Sequence, residues 1–143
     1  MAEVFSGFVC GYAIALIATP AAALALVRAR VESAALRRIF PPEAPLVTVS
    51  LFLHILWFFL FTAVGMLFGL ALHGFERRHP AGGIGSPNAL FTIVVLAITT
   101  IAILPPAVLL PRWRAPLIAG GTVFAVTFGW VMPYLAQIGP GQG

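Results

Sequence analysis

The stretch PLVTVSLFLHILWFFLFTAVGMLFGLALH, residues 45–73, decides the fold, because between its ends it holds one ionisable side chain, His54. At about 1.5 Å per residue it is longer than the roughly 30 Å hydrocarbon core of a bilayer, and in hydrocarbon only a helix satisfies every backbone group within one segment. Working outward, three more runs have the same character: Val4–Val27, Ala89–Leu110 and Pro116–Ile138. The composition agrees: 61% of the 143 residues are hydrophobic and 8% charged, against about half and a quarter in soluble domains. A water-soluble globule is excluded. The expected architecture is an all-α integral membrane protein, a single four-helix membrane domain over residues 1–143 with transmembrane helices at about 4–27, 45–73, 89–110 and 116–138.

Charge supplies the topology. The charged residues are Arg and Glu only, and none falls inside the four runs. Arg28, Arg30, Arg37, Arg38, Arg112 and Arg114 flank the first and third connections, whereas Arg77 and Arg78 are on the second. Because basic residues are retained on the cytoplasmic side, the richer face is expected to be cytoplasmic, with both termini outside and the chain integral to the cytoplasmic (inner) membrane. The start Met1-Ala2-Glu3 lacks the basic segment of a signal peptide, and Arg28 and Arg30 follow the run instead, so it reads as an uncleaved first helix. The Arg pairs sit beside apolar runs, where topology determinants belong, and nucleic acid is not an expected partner.

Local chemistry marks the boundaries. Pro45 and Pro116 suit first-turn positions, and Ser86-Pro87 offers a cap and a pre-set φ for the third helix. Leu36, Arg37, Arg38, Ile39 and Phe40 suit either a short interfacial helix or an ordinary polar connection. Pro20, Pro105, Pro106 and Pro133 remove backbone donors inside the helices and are expected to bend them. The order Pro-Ala, Arg-x-Arg, Ala-Pro-Leu occurs at 20–46 and again at 106–117, which fits either a duplicated hairpin or the shared demands of topology.

Small residues recur every four positions at Gly7, Gly11, Ala15, Thr19 and Ala23, at Gly65 and Gly69, and at Gly121, Ala125 and Gly129. Such stripes let helix backbones approach closely. They pack either the helices of this chain or, through the faces of Gly7, Gly11, Gly65, Gly69, Gly121 and Gly129, other membrane subunits; membrane lipids cover the rest.

His54 is the candidate site residue. An intramembrane imidazole is costly to leave unpaired, so it faces protein or a cofactor; Ser50, Phe61 and Gly65 share its stripe. Its neutral form can ligate haem or a (bacterio)chlorophyll, with Trp57, Phe58 and Phe59 beside it, or it can bond to Ser50, to a backbone carbonyl or to a neighbouring helix. His73 is on the same helix, about 28 Å away by helical rise, so the two cannot clamp one haem within a protomer. His79, beside Arg77 and Arg78, reads as solvated. Cys10 is a lone thiol inside the first run, suited to packing. No intramembrane carboxylate is available for proton or cation coupling, and no nucleophile–base set, metal-ligand spacing or phosphate loop is present, so an enzyme is not expected. The leading expectation is a small structural or accessory subunit of a larger membrane complex, of respiratory or photosynthetic kind. The alternatives are a cofactor-binding subunit using His54, and a channel or carrier for neutral solutes lined by Thr92, Thr99, Thr100, Thr122 and Thr127.

Overall fold

A computed structural model describes residues 1–32, 34–41, 43–79, 88–109 and 111–138. The described residues form no strand. Helix α1 covers Ala2–Glu32, α2 Ala34–Ile39, α3 Leu46–Arg78, α4 Ala89–Leu109, α5 Arg114–Val126 and α6 Met132–Ile138. A 3₁₀ turn at Pro111–Trp113 precedes α5, and a π-helical turn at Thr127–Val131 joins α5 to α6 into one rod. Four helical stretches, Ala2–Ala29, Leu46–Arg78, Ala89–Leu109 and Arg114–Ile138, are long and apolar enough to cross a membrane, which fits a multi-pass membrane protein. Ala89–Leu109 matches the apolar run read from the sequence, whereas the stretch Leu46–Arg78 overruns its run because Glu76, Arg77 and Arg78 continue the helix. Of the two readings open for the segment around Leu36–Phe40 a short helix is the one found: α2 exposes Arg37, Arg38 and Ile39, and Phe40, just after it, packs edge to face on Phe52 of α3 at 5.6 Å.

The tightest pairing is α1 against α3, antiparallel and backbone to backbone. A Cβ built on Gly7 would overlap the carbonyl of Gly65, one on Gly11 the carbonyl of Phe61, and one on Gly69 the carbonyl of Glu3. Facing residues therefore run 7 with 65 and 11 with 61, each pair adding to 72, so the two stripes mesh in a single register. Gly121 meets the Ile103 side chain of α4, and Gly129 lies against Thr92 and Val95. These six glycines are buried against helices of this chain. Dispersion and backbone contact, rather than hydrophobic transfer, hold helices together in lipid, and glycine is what allows that distance.

Helices α4 and α5–α6 form the second pair. It docks on the first through one buried cluster of Cys10, Ile14, Leu72, Phe91, Val95, Phe128, Met132 and Ala136, with Phe68 stacked on Phe128 at 5.1 Å and Phe75 against Phe91 at 5.7 Å. A separate cluster of Ala23, Val49 and Leu53 involves only α1, α3 and their link.

Backbone ends are satisfied locally. Asn88 caps α4: its Oδ1 accepts from the Phe91 N–H at 3.2 Å and its Nδ2 donates to the His79 carbonyl at 2.8 Å, tying the end of α3 to the start of α4. Ser86 and Pro87 lie outside the described residues. Arg114 Nε donates to the Ala107 carbonyl at 2.9 Å, covering a free acceptor near the C-terminus of α4. The helices run through Pro20, Pro105 and Pro106. Pro133 has no N–H for the Gly129 carbonyl four residues earlier, and the Thr92 hydroxyl of α4 donates to that carbonyl at 2.6 Å. The π-helical turn stands immediately before Pro133, where widening the helix relieves the clash of its ring with the preceding turn.

Two outcomes follow. Replacing Gly65 by Leu should cost about 3 kcal/mol, because backbone must move, whereas Gly120→Ala, with nothing within 4 Å, should be neutral or add up to about 1 kcal/mol. Reversible unfolding in mixed micelles measures both, and equal effects would refute the close-approach account. Thr92→Val should cost about 1 kcal/mol in the native background and much less in Pro133→Ala, where the N–H is restored. A double-mutant cycle reads the difference, and no coupling would sink the pairing.

Candidate functional site

His54 sits on α3 about 12 Å from its start by helical rise, and Thr19 of α1 lies across the seam. Thr19 Oγ1 is 2.7 Å from the Ala15 carbonyl one turn back and 3.2 Å from His54 Nδ1. A hydroxyl has one hydrogen. The carbonyl can only accept, so Thr19 gives that hydrogen to Ala15 and presents lone pairs to the ring. His54 therefore donates its Nδ1–H to Thr19, an arrangement that in the neutral form of the ring puts the lone pair on Nε2. Among the described residues, Nε2 has no hydrogen-bond partner, and it is not fully enclosed. His54 is half-buried.

The partner is not Ser50, although Ser50 shares the stripe. The aromatic surroundings also differ from those read in the sequence. Tyr12 meets the imidazole edge to face at 6.3 Å and Phe58 at 5.8 Å, and Phe58 in turn meets Phe8 at 6.2 Å. Trp57 instead turns toward Phe61 at 5.3 Å, with its Nε1 enclosed and unpaired among the described residues. Phe59 is exposed, in ring contact with Phe58 at 5.4 Å.

His73 is engaged elsewhere. Its Nδ1 is 3.0 Å from Glu3 Oε1, and the other oxygen of Glu3 accepts from the Met1 ammonium at 2.9 Å. The pair extends the glycine seam by one more turn, opposite Gly69. Glu3 and Thr19 escaped the sequence reading, yet the spacing of the two small-residue stripes contained them: once Gly7 faces Gly65, residue 3 falls near 69–73 and residue 19 near 54. His79 is exposed.

Three of the threonines proposed as a solute lining use their hydroxyls on their own helices, and Thr92 reaches across to the Gly129 carbonyl. Thr99 donates to Val95 at 2.7 Å, Thr100 to Leu96 at 2.8 Å and Thr122 to Ile118 at 2.9 Å. These three line an open groove of about 320 Å³ between α4 and α5 with Leu104 and Ile118. A second groove, about 390 Å³, lies between the ends of α1 and α6 and is lined by Phe5, Val9, Leu135 and Ile138. No group of three His, Cys, Asp or Glu side chains among the described residues is placed to hold a metal ion. Compared with known proteins, the chain matches no family model, no curated protein and no solved structure.

The tautomer is directly observable. Nitrogen-15 NMR of ring-labelled protein near neutral pH should show His54 protonated at Nδ1 and bare at Nε2, and Thr19→Val should shift the population toward Nε2–H. A wild-type ring protonated at Nε2 would contradict the assignment.

Proposed function

We propose that this chain is a small structural or accessory subunit of a larger membrane complex, of respiratory or photosynthetic kind, lying in the cytoplasmic membrane with its Arg-rich connections inside and both termini outside. The observation that carries this reading is the one-ended junction between the two helix pairs. The shared core gathers around Phe91, Phe128 and Met132, whereas the half of α4–α5 near Trp113 belongs to neither buried cluster. There α4 turns Ile101, Leu104, Val108 and Leu109 outward, each at least 60% exposed, and lipid or further helices must cover them. The Arg asymmetry supports the orientation.

A second reading, a cofactor-binding subunit in which His54 ligates haem or a (bacterio)chlorophyll, is favoured by the bare Nε2. Metal-ligating histidines typically donate the other ring N–H to a neighbouring acceptor, as Nδ1 does here to Thr19.

Extraction in mild detergent followed by native mass measurement tests the leading reading. The expected result is this chain in defined stoichiometry with at least one other membrane protein. A stable monomer with no companion overturns it.

A further inference from the structure

The unpaired Nε2 of His54 has a neighbour in the same condition. Tyr12 is two residues from both Cys10 and Ile14, which pack toward α4–α6; at about 100° per residue its side chain leaves α1 on the opposite side. It is 39% exposed, and among the described residues its hydroxyl has no hydrogen-bond partner. By helical rise Tyr12 lies about 15 Å from the start of α1, near the middle of a hydrocarbon layer roughly 30 Å thick. Two polar groups thus open side by side on the outer seam of α1 and α3: a nitrogen lone pair that needs a Lewis acid or a donor, and a phenolic O–H that needs an acceptor. Left in lipid, each carries a desolvation cost. Water is scarce there, and although the two rings meet edge to face at 6.3 Å no hydrogen bond joins them.

We infer that the outer seam of α1 and α3 binds a metallotetrapyrrole, with His54 Nε2 as axial ligand to its iron or magnesium and the Tyr12 hydroxyl donating to a carbonyl on the macrocycle's edge. This rests on the cofactor-binding reading of His54 and adds to it the face, the ligating atom and a second recognition residue. Thr19 is a positioning residue: it holds the imidazole through Nδ1 and touches no ligand. The Phe8, Tyr12 and Phe58 rings, exposed or half-buried along the same seam and meeting one another edge to face, offer apolar faces and edges to a ligand too large for the bundle interior.

The full chain in detergent is titrated separately with hemin and with bacteriochlorophyll a, which distinguishes an iron from a magnesium ligand, and followed by absorption and resonance Raman spectra. At least one probe is expected to bind with a shifted band. His54→Gln, which keeps a donor toward Thr19 but offers no ring nitrogen, should lose affinity at least 100-fold. Thr19→Val should lose about tenfold to 100-fold. Tyr12→Phe should retain axial ligation while the keto or acetyl stretch of bacteriochlorophyll a rises to its unbonded frequency; with hemin, whose edge bears propionates in place of such a carbonyl, Tyr12→Phe should lose affinity about tenfold. Circular dichroism and size exclusion establish that each variant is folded. Undiminished binding by folded His54→Gln, or no binding of either probe by the wild type, overturns the site together with the reading beneath it. An unchanged carbonyl stretch in Tyr12→Phe, with His54 still essential, overturns the two-residue recognition and spares that reading. A wild-type dimer that binds neither probe and dissociates on either His54→Gln or Tyr12→Phe assigns the seam to a second copy and also overturns the proposal.

Discussion

Everything in this molecule depends on the contact between two bare stretches of backbone, Gly7 on α1 and Gly65 on α3. In water, two apolar helices are driven together by solvent; in lipid that drive is largely gone, and attraction must come from atoms brought into close contact. Removing both Cβ atoms lets the helix backbones touch, and Gly11 and Gly69 repeat the arrangement one turn to either side. Close approach has a second effect, because it fixes register. Once the glycines mesh, Thr19 can only meet His54, and Glu3 can only meet His73. The polar pairs add specificity to an alignment that shape has already set.

The second helix pair follows a different rule. Helices α4 and α5–α6 lack a long glycine seam and join the first pair through aromatic rings, Phe68 on Phe128 and Phe75 on Phe91. Ring packing fills space without demanding backbone contact, so it tolerates the π-helical turn before Pro133. That turn and the Thr92 bond to the Gly129 carbonyl answer one problem, a proline that withholds a donor where no water can replace it.

Much of this was legible in the sequence. Residues 45–73 admit only a membrane helix, and the absence of charge from four such runs leaves little choice of fold class. The small-residue stripes were visible, but a stripe states that a helix packs closely and not against what. Whether Gly7 and Gly65 met each other or another subunit needed three dimensions. His54 stands out as the one ionisable group within a span, and of the partners open to it the neighbouring helix supplies Thr19; helical spacing reveals neighbours on the same helix, such as Ser50, and is silent about which residue lies across the seam. Asn88 has no mark in the sequence that sets it apart as a cap, since the carbonyl of His79, which it also binds, is a tertiary neighbour.

The register between α1 and α3 also bears on how the protein is made. A membrane-inserted chain emerges from the translocation machinery in order, and α1 has its closest partner not in the next helix but beyond the α2 connection. Until residue 65 has entered the bilayer, Gly7 faces lipid tails that fill its groove poorly, and Thr19 has no imidazole opposite. Once α3 arrives, the pair can close as a unit before α4 is synthesised, since its glycine contacts, its Thr19–His54 bond and the cluster around Val49 need nothing downstream. Biogenesis then has a natural midpoint: a completed hairpin that waits, with Cys10, Ile14 and Leu72 uncovered, for the aromatic side of the second pair to arrive.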